Sequence, residues 1–425
     1  MKVQQINSVL QPRTKRPLDW KQGAADAVTV SVGSAAGAFF GPAVGAGAGV
    51  VGGAGAESMV SSEMVLQKPS QLIARQAAVG ALAGLSAGIT TSLLHQTLGS
   101  LDGLVGMGVG LAVGGAAALL LPNRGQTAVN SHWNNLESLQ APELWKQGIT
   151  GQDVGVAVLD TGLYSHATLR GNIVGYRSFV DDKQEVHDDH FHGTAMSGII
   201  SGLGKDENYP AVAPNAKLIG LKVADDKGRV HPDKVAEAIR WAVEHRERYN
   251  IQVLNMSFVG DDKDDPEQTA DLLKAVGEAT AKGIIVVASG GNDGPAPSKM
   301  QAPASAPSAI SVASLESNSQ TISDFSHRSP AGEAHVTVAA PGSGWLEPIT
   351  GGGYWVEGGT SHAAAALSGV IALWKQAKPD LTPAEAREAL EKTATQLKNE
   401  SPEAQGAGAA RAQDGLTWLT HQVSN

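Results

Sequence analysis

From Val154 onward, short apolar runs recur between stretches of helical pattern, and this alternation restricts the fold more than any other feature of the chain. Val154–Leu159, Leu218–Val223, Val253–Met256, Ile284–Ala288 and Ala309–Ala313 are mainly apolar segments of strand length. Runs of that kind, without polar alternation, fit strands buried on both faces, as in a parallel sheet. Between them, Pro232–His245 sets Val235, Ala238, Ile239, Ala242 and Val243 at helical spacing. Thr382-Pro383-Ala384-Glu385 is a capping box with proline at the first helical position, and it predicts a helix running to about Leu397. Strands alternating with helices predict an α/β fold: a mainly parallel sheet covered on both faces, three layers in all.

The chain before this region is built differently. Residues 27–121 are nearly free of charge and crowded with small side chains. Gly33, Gly37, Gly41, Gly45, Gly49 and Gly53 fall every four residues, as do Gly80, Gly84 and Gly88, and again Gly106, Gly110 and Gly114. On a helix that interval lines the glycines along one stripe and lets two backbones approach closely, the packing device of membrane helices. Each interior glycine costs a water-exposed helix about 1 kcal/mol relative to alanine. In lipid the alternative is unsatisfied backbone polar groups, so the helix is enforced there. Ala27–Ala56, Gln76–Leu101 and Gly103–Asn123 are long enough for ~20-residue crossings. The expectation is a Gly/Ala-rich, glycine-zipper helical region, associated with membrane and able to self-associate. The competing expectation is a soluble Gly/Ala-rich segment. Residues 1–26 form a basic polar segment without the layout of a standard signal peptide. Residues 122–150 read as linker and lead-in, 151–400 as the α/β domain, and 401–425 as a C-terminal tail.

The formal net charge of −10 belongs to the remainder of the chain, because residues 1–130 hold eight Lys/Arg against five Asp/Glu. An acidic body argues against a nucleic-acid partner. The absence of cysteine removes disulfides, thiolate metal sites and cysteine catalysis.

Three turns carry chemistry. Val158-Leu159-Asp160-Thr161-Gly162 ends an apolar run on a carboxylate. His192-Gly193-Thr194-Ala195-Met196-Ser197-Gly198 puts an imidazole at the start of a small-residue helix. Gly358-Gly359-Thr360-Ser361-His362-Ala363-Ala364 opens a buried helix with a serine. Each alone has an ordinary explanation: a turn aspartate, a structural histidine, an N-cap serine. Together, in the order Asp, His, Ser, they supply what nucleophilic acyl transfer requires. The free N–H groups and the dipole at the start of the Ser361 helix also suit a developing oxyanion.

These motifs and their order resemble the subtilisin-like serine proteases, the subtilases, over residues 135–398. The resemblance implies a subtilisin-like three-layer domain and a serine endopeptidase acting on polypeptides, with Asp160, His192 and Ser361 as the catalytic set. Ser289-Gly290-Gly291-Asn292-Asp293-Gly294, after the run Ile284–Ala288, resembles the turn carrying the family's oxyanion asparagine, so Asn292 is the side-chain donor and the Ser361 N–H its partner. Asn255-Met256-Ser257-Phe258 matches the family's substrate-binding strand. Ser257, Phe258, Val259, Gly290 and Gly291 are then the substrate-binding residues. By the same likeness the Ala302–Pro303 bond is expected cis.

The chain also departs from the family. His362 stands where methionine is usual, and Ala365 where proline is. Thr168 replaces an aspartate that ligates calcium in many members, and Lys205 lies in the companion loop, so the family's calcium site is expected to be missing and no metal or other cofactor is expected. Val259 occupies a position often held by glycine and should narrow the pocket. The cluster His187, Asp188, Asp189, His190 and His192 lacks the spacing of a metal site and reads as an acidic loop; Asp261–Asp265 reads as a solvated face. Asp188, Asp189 and Asp293 beside the cleft predict a preference for basic residues near the scissile bond. Residues 1–130 do not resemble the family's small α+β pro-domain.

Three functions follow for comparison. The first is an endopeptidase tethered to a membrane by residues 27–121. The second is a membrane-active or delivered effector whose N-terminal helices carry the protease as cargo, and the third a pseudoenzyme. The joint presence of Asp160, His192, Asn292 and Ser361 argues against the third. Localisation is expected at a membrane, with secreted or cytoplasmic placement as the alternative.

Overall fold

A computed structural model of the chain describes residues 124–202, 209–260, 264–317 and 320–421. Helices α1 (Arg124–Ser138) and α2 (Ala141–Trp145) lead into β1 (Gly155–Asp160) and β2 (Ile173–Ser178). Then come α3 (His192–Ile200), β3 (Lys217–Lys222), α4 (Pro232–Glu244), α5 (Arg246–Tyr249), β4 (Ile251–Met256), α6 (Pro266–Ala281), β5 (Ile285–Ser289), β6 (Ile310–Leu315) and β7 (Val338–Pro341). The hairpin strands β8 (Ser343–Pro348) and β9 (Tyr354–Gly358) precede α7 (Thr360–Ala377), α8 (Pro383–Thr393), α9 (Pro402–Gln405) and α10 (Ala412–His421). Seven strands form one sheet in the order β2-β3-β1-β4-β5-β6-β7, and every pairing in it is parallel. Strand order reverses at β1, which lies between β3 and β4. In such sheets ligands bind beyond the carboxyl ends of the strands at the reversal. Asp160 is the last residue of β1.

All six residues of β1 are buried, as the apolar run requires. Alternation across the strand sends Val156 and Val158 to one face, where they pack with Met196 and Ile199 of α3 and with Leu367, Val370 and Ile371 of α7. Ala157 and Leu159 go to the other, against Val235 and Ile239 of α4 and Leu272 and Val276 of α6. The expected three layers follow from this period of two. Asp160 falls in step with Val156 and Val158, on the side of the helices that open at His192 and Thr360. The four alanines Ala363–Ala366 are fully buried and let α7 lie close against the strands.

The segments flanking the domain are more ordered than expected. In the lead-in, Leu136, Leu139, Leu144 and Trp145 are buried in the main core. Residues 401–421, expected within a tail, form α9 and α10 instead. Ala412, Leu416 and Leu419 enter the core, and the Trp374 indole donates to the Ala412 carbonyl at 2.8 Å. Helix α8 stops at Thr393, short of Leu397, because Thr395 leaves the helix to exchange backbone hydrogen bonds with Ala409. Ala302–Pro303 is cis as expected, and so is Gly294–Pro295. The glycine-interval region 27–121 and the basic segment 1–26 lie outside the described residues. Among the described residues, no helix is long and apolar enough to cross a membrane.

Candidate active site

The Asp160 turn and the start of α3 are fitted to each other through their glycines. Gly162 has φ +131°, and a side chain there would run into the His187 carbonyl. A side chain at Gly193 would strike the Gly162 carbonyl and come within 3.1 Å of Asp160 Cβ. Without either obstruction, His192 Nδ1 sits 2.8 Å from Asp160 Oδ1. The same oxygen accepts from the Thr161 N–H at 2.7 Å, whereas Oδ2 is buried and has no hydrogen bond. Phe191, just before His192, has φ 109°, a strained value for a bulky residue. Asp188 holds it there. Its Oδ1 accepts from His190 N, Phe191 N and Thr161 Oγ1, and its Oδ2 from the Thr194 N–H and hydroxyl. Burial works against ionisation of Asp188, but the hydrogen bonds from Phe191, Thr194 and His190 outweigh it and hold the carboxyl below its usual range.

Burial also disfavours charge on His192, yet the attraction of Asp160 prevails. That charge, its hydrogen bond, and further pull from Glu347 and Asp188 push the imidazole up to about 9. Beside it, the fully buried Lys222 donates at 2.6 Å both to the Thr161 carbonyl and to Asp189 Oδ1, so this buried ammonium is satisfied.

Ser361 is tied to β4. Its hydroxyl donates to the Ser257 carbonyl at 2.8 Å, not to His192, and the Ser257 hydroxyl donates to the Ser361 carbonyl at 2.8 Å. Asn255 continues this buried network to Ser257 and to Ser368 of α7. The Asn292 side-chain oxygen accepts from both the N–H and the hydroxyl of Thr360, at 2.9 Å each. That fixes the amide so that its NH2 faces Gly359. A methyl built on Gly359 would lie 3.5 Å from Asn292 Nδ2 and 3.7 Å from the Ser361 N–H nitrogen, so two donors border one small space.

The expected substrate-binding residues divide. Ser257 is buried and committed to Ser361. Phe258 is half-buried and accepts at its carbonyl from Ser289. Gly290 is paired to Val312. Gly291, at φ +121°, donates to the Thr360 hydroxyl and lies beside Val259, whose side chain is one of the few exposed large apolar groups.

The predicted acidic-histidine cluster is dispersed. Asp188 is spent on backbone and hydroxyl donors, His192 on Asp160, and Asp189 on Lys222. His187, Asp189 and Asp181 do bring one potential ligand atom each within 4.8 Å of the others, but His187 hydrogen-bonds Asp181 and Lys222 already balances Asp189. Of the carboxylates expected to favour basic residues near the scissile bond, Asp188 is buried. Asp189 and Asp293 both stay exposed, Asp189 beside the Lys222 ammonium and Asp293 bonded to Ser298 and His327. Thr168, at the position tied to calcium, is uncharged and shares a 2.6 Å hydrogen bond with the Tyr354 hydroxyl, so it does not fit a hard cation. Lys205 and Asp261–Lys263 lie outside the described residues. Asp265, read as part of a solvated face, caps α6 through Glu267 N and Gln268 N.

Several residues that shape the site were not singled out from the sequence. Thr360 anchors Asn292, and its only signal is its place before Ser361. Thr194 and Lys222 read as ordinary helix and strand residues. Glu347 is a charged residue inside Trp345-Leu346-Glu347-Pro348, which is a signal in itself, and its partner is His362.

A parallel sheet with an acid–imidazole pair and a buried helix opening on serine at its carboxyl edge defines the class of fold. The Subtilase family matches the chain over residues 151–408, and the chain belongs to that family. It is a subtilisin-like serine endopeptidase. It is 33% identical over 310 residues to the serine protease AprX of Bacillus subtilis, an alignment covering 66% of this chain and 70% of that protein. To subtilisin E of the same organism it is 35% identical over 268 residues, 62% of this chain and 66% of the relative. Among solved structures it is similar to sphericase, with a TM-score of 0.57 and 28% identity, over 62% of this chain and 92% of that one. A cold-adapted subtilisin-like serine proteinase gives 0.52 and 28%, over 62% and 88%.

Proposed function

We propose that the chain hydrolyses peptide bonds through an acyl-enzyme on Ser361. The observation that carries the reading is the 2.8 Å contact between Asp160 Oδ1 and His192 Nδ1. It puts the ring proton on Nδ1 and leaves Nε2 as the base. The Ser361 hydroxyl turns from the Ser257 carbonyl to His192 as substrate arrives, gives up its proton, and attacks the scissile carbonyl. Asn292 Nδ2 and the Ser361 N–H receive the oxyanion. His192 returns the proton to the leaving amine, and water repeats the sequence in reverse to release the acid. Val259 narrows the side-chain pocket. Calcium has no part, given the hydroxyl at Thr168. Ser361→Ala should abolish peptide hydrolysis and fluorophosphonate labelling while the protein stays folded; labelling that persists in the variant overturns the assignment.

The glycine interval in residues 27–121 supports a second element: attachment to a membrane by tightly packed small-residue helices, with the protease either tethered there or carried as cargo of a membrane-active region. Carbonate washing of membranes from cells expressing the whole chain tests attachment, and complete recovery in the wash overturns it. Release of dye from liposomes by the Ser361→Ala chain separates cargo from tether.

A further inference from the structure

Behind the nucleophile lies a second acid and imidazole. Glu347 Oε2 is 2.8 Å from His362 Nε2, and both side chains are almost completely buried. The contact is off hydrogen-bond alignment. Neither oxygen of Glu347 and neither ring nitrogen of His362 has any other hydrogen-bond partner. Burying a carboxylate with no donor is costly, and His362 is the polar group placed against it. It is also the residue next to Ser361.

The surroundings keep Glu347 from swinging away. On one side, the Pro348 ring occupies the space left by the missing side chain of Gly198 in α3, the helix that starts at His192. On the other, the lead-in helix grips the hairpin: Asn135 Nδ2 donates to the Ser343 carbonyl at 2.9 Å, and the Leu346 N–H donates to His132 Nδ1 at 3.3 Å. The Trp345 indole is bonded to the Pro341 carbonyl. Strand β8 thus fixes a carboxylate between the helix that opens on His192 and the helix that opens on Ser361.

We infer that the sealed Glu347–His362 pair, held by β8 between the helices that open on His192 and Ser361, sets the charge around the base, with Glu347 as the positioning residue and His362 moderating it. The inference rests on His192 being the general base. The charged and titratable groups around that ring are Asp160 from β1, Asp188 and Asp189 from the loop before α3, Lys222 from β3, Glu347 from β8 and His362 from α7. Glu347 is the carboxylate among them with no hydrogen bond of its own. Its negative charge already adds to the pull that Asp160 exerts on His192. Removing that charge should ease deprotonation of His192. Removing His362 should leave the charge unshared and hinder it.

The test is the acid limb of kcat/KM against pH, with active-site titration so that only folded enzyme is counted. Glu347→Gln should move the limb to lower pH by roughly half a unit or more. His362→Met should move it to higher pH. The double substitution Glu347→Gln/His362→Met should follow Glu347→Gln. A pair with only a structural role lowers the melting temperature and leaves the limb in place, and that result overturns the inference, as does a shift of both single variants in one direction. If a single variant folds poorly, the pH dependence of fluorophosphonate inactivation on its folded fraction gives the same comparison. Labelling of Ser361→Ala separates the two failures. Persisting label refutes the catalytic assignment, whereas lost label with an unmoved limb refutes the Glu347–His362 pair alone.

Discussion

His132 gives a quantitative test of how the lead-in is held to the catalytic domain. The side chain is 1% exposed, with Nε2 at 2.9 Å from the Pro210 carbonyl and Nδ1 accepting from the Leu346 N–H. Burial lowers its pKa from 6.5 to about 4, against the smaller opposing effect of the Pro210 hydrogen bond. The unfolded chain therefore takes up a proton as pH falls through 6.5, and the folded protein does not until about 4. Acid favours the unfolded form across that window. Each pKa unit is worth about 1.36 kcal/mol, so by pH 4.5 the group should have cost the fold about 2.5 kcal/mol relative to pH 7.5. Glutamine at this position can still donate to Pro210 but does not titrate. We expect urea unfolding in the Ser361→Ala background, which prevents self-digestion, to show His132→Gln losing about 2.5 kcal/mol less than its parent between pH 7.5 and 4.5. Carboxylates and the other histidines titrate alike in both proteins and cancel. Superimposable pH profiles would refute the reasoning, because they would mean that His132 accepts its proton without leaving its place.

Four further outcomes are expected. Asn292→Leu should lower kcat by about 10²–10³, the scale set by one such donor in a subtilisin, with KM nearly unchanged; a rise in KM alone contradicts the oxyanion role. Activity should climb from neutral pH toward about 9, because His192 works as a base only once it loses its proton. The same shift means that the stabilisation from its pairing with Asp160 is fully present below 6.5 and lost as pH rises through about 9, and an activity plateau reached by pH 7 would contradict both. Val259→Gly should raise the preference for phenylalanine over alanine on the acyl side of the cut by about tenfold or more, and an unchanged ratio would place Val259 off the pocket. If the family's calcium site is missing, as proposed, calcium chelation should leave the melting temperature where it is, and a fall of many degrees would reveal a site.

The parts of the fold that the sequence made legible are those governed by one local rule. Strands β1, β3, β4, β5 and β6 are buried on both faces and read as apolar runs, and α4 and α8 announced themselves by spacing and by cap. Strand β2 lies at the sheet edge and carries Gly175 and Arg177 half-buried, so its pattern shows no clean run. Strand β7 has four residues and includes Pro341, and β8 and β9 are interrupted by Glu347 and Glu357. Helix α10 escaped notice because its docking depends on Trp374, far away in the chain, with Gly415 leaving room for the indole. The site divides in the same manner. Asp160, His192 and Ser361 lie in motifs whose order carries meaning. Thr360, Thr194 and Lys222 act through partners that only the folded chain brings near.

The carboxylates show why position in the sequence was a poor guide to role. Asp188, Asp189 and Asp293 are close to the motifs and looked suited to attracting a cationic substrate. Folding gives Asp188 five donors, and gives Asp189 the ammonium of Lys222. A carboxylate so engaged organises the chain around it and has little field left to act on a ligand. Among the described residues, the buried carboxylates with an oxygen left unbonded are Asp160 and Glu347. Each faces an imidazole, and both raise the proton affinity of His192. Asp188 adds to that pull, but the two acids that the backbone leaves incompletely satisfied act on the base from opposite sides of it in the sequence. One of them is 32 positions before His192 in the sequence, and the other reaches the site only through a hairpin 155 positions after it.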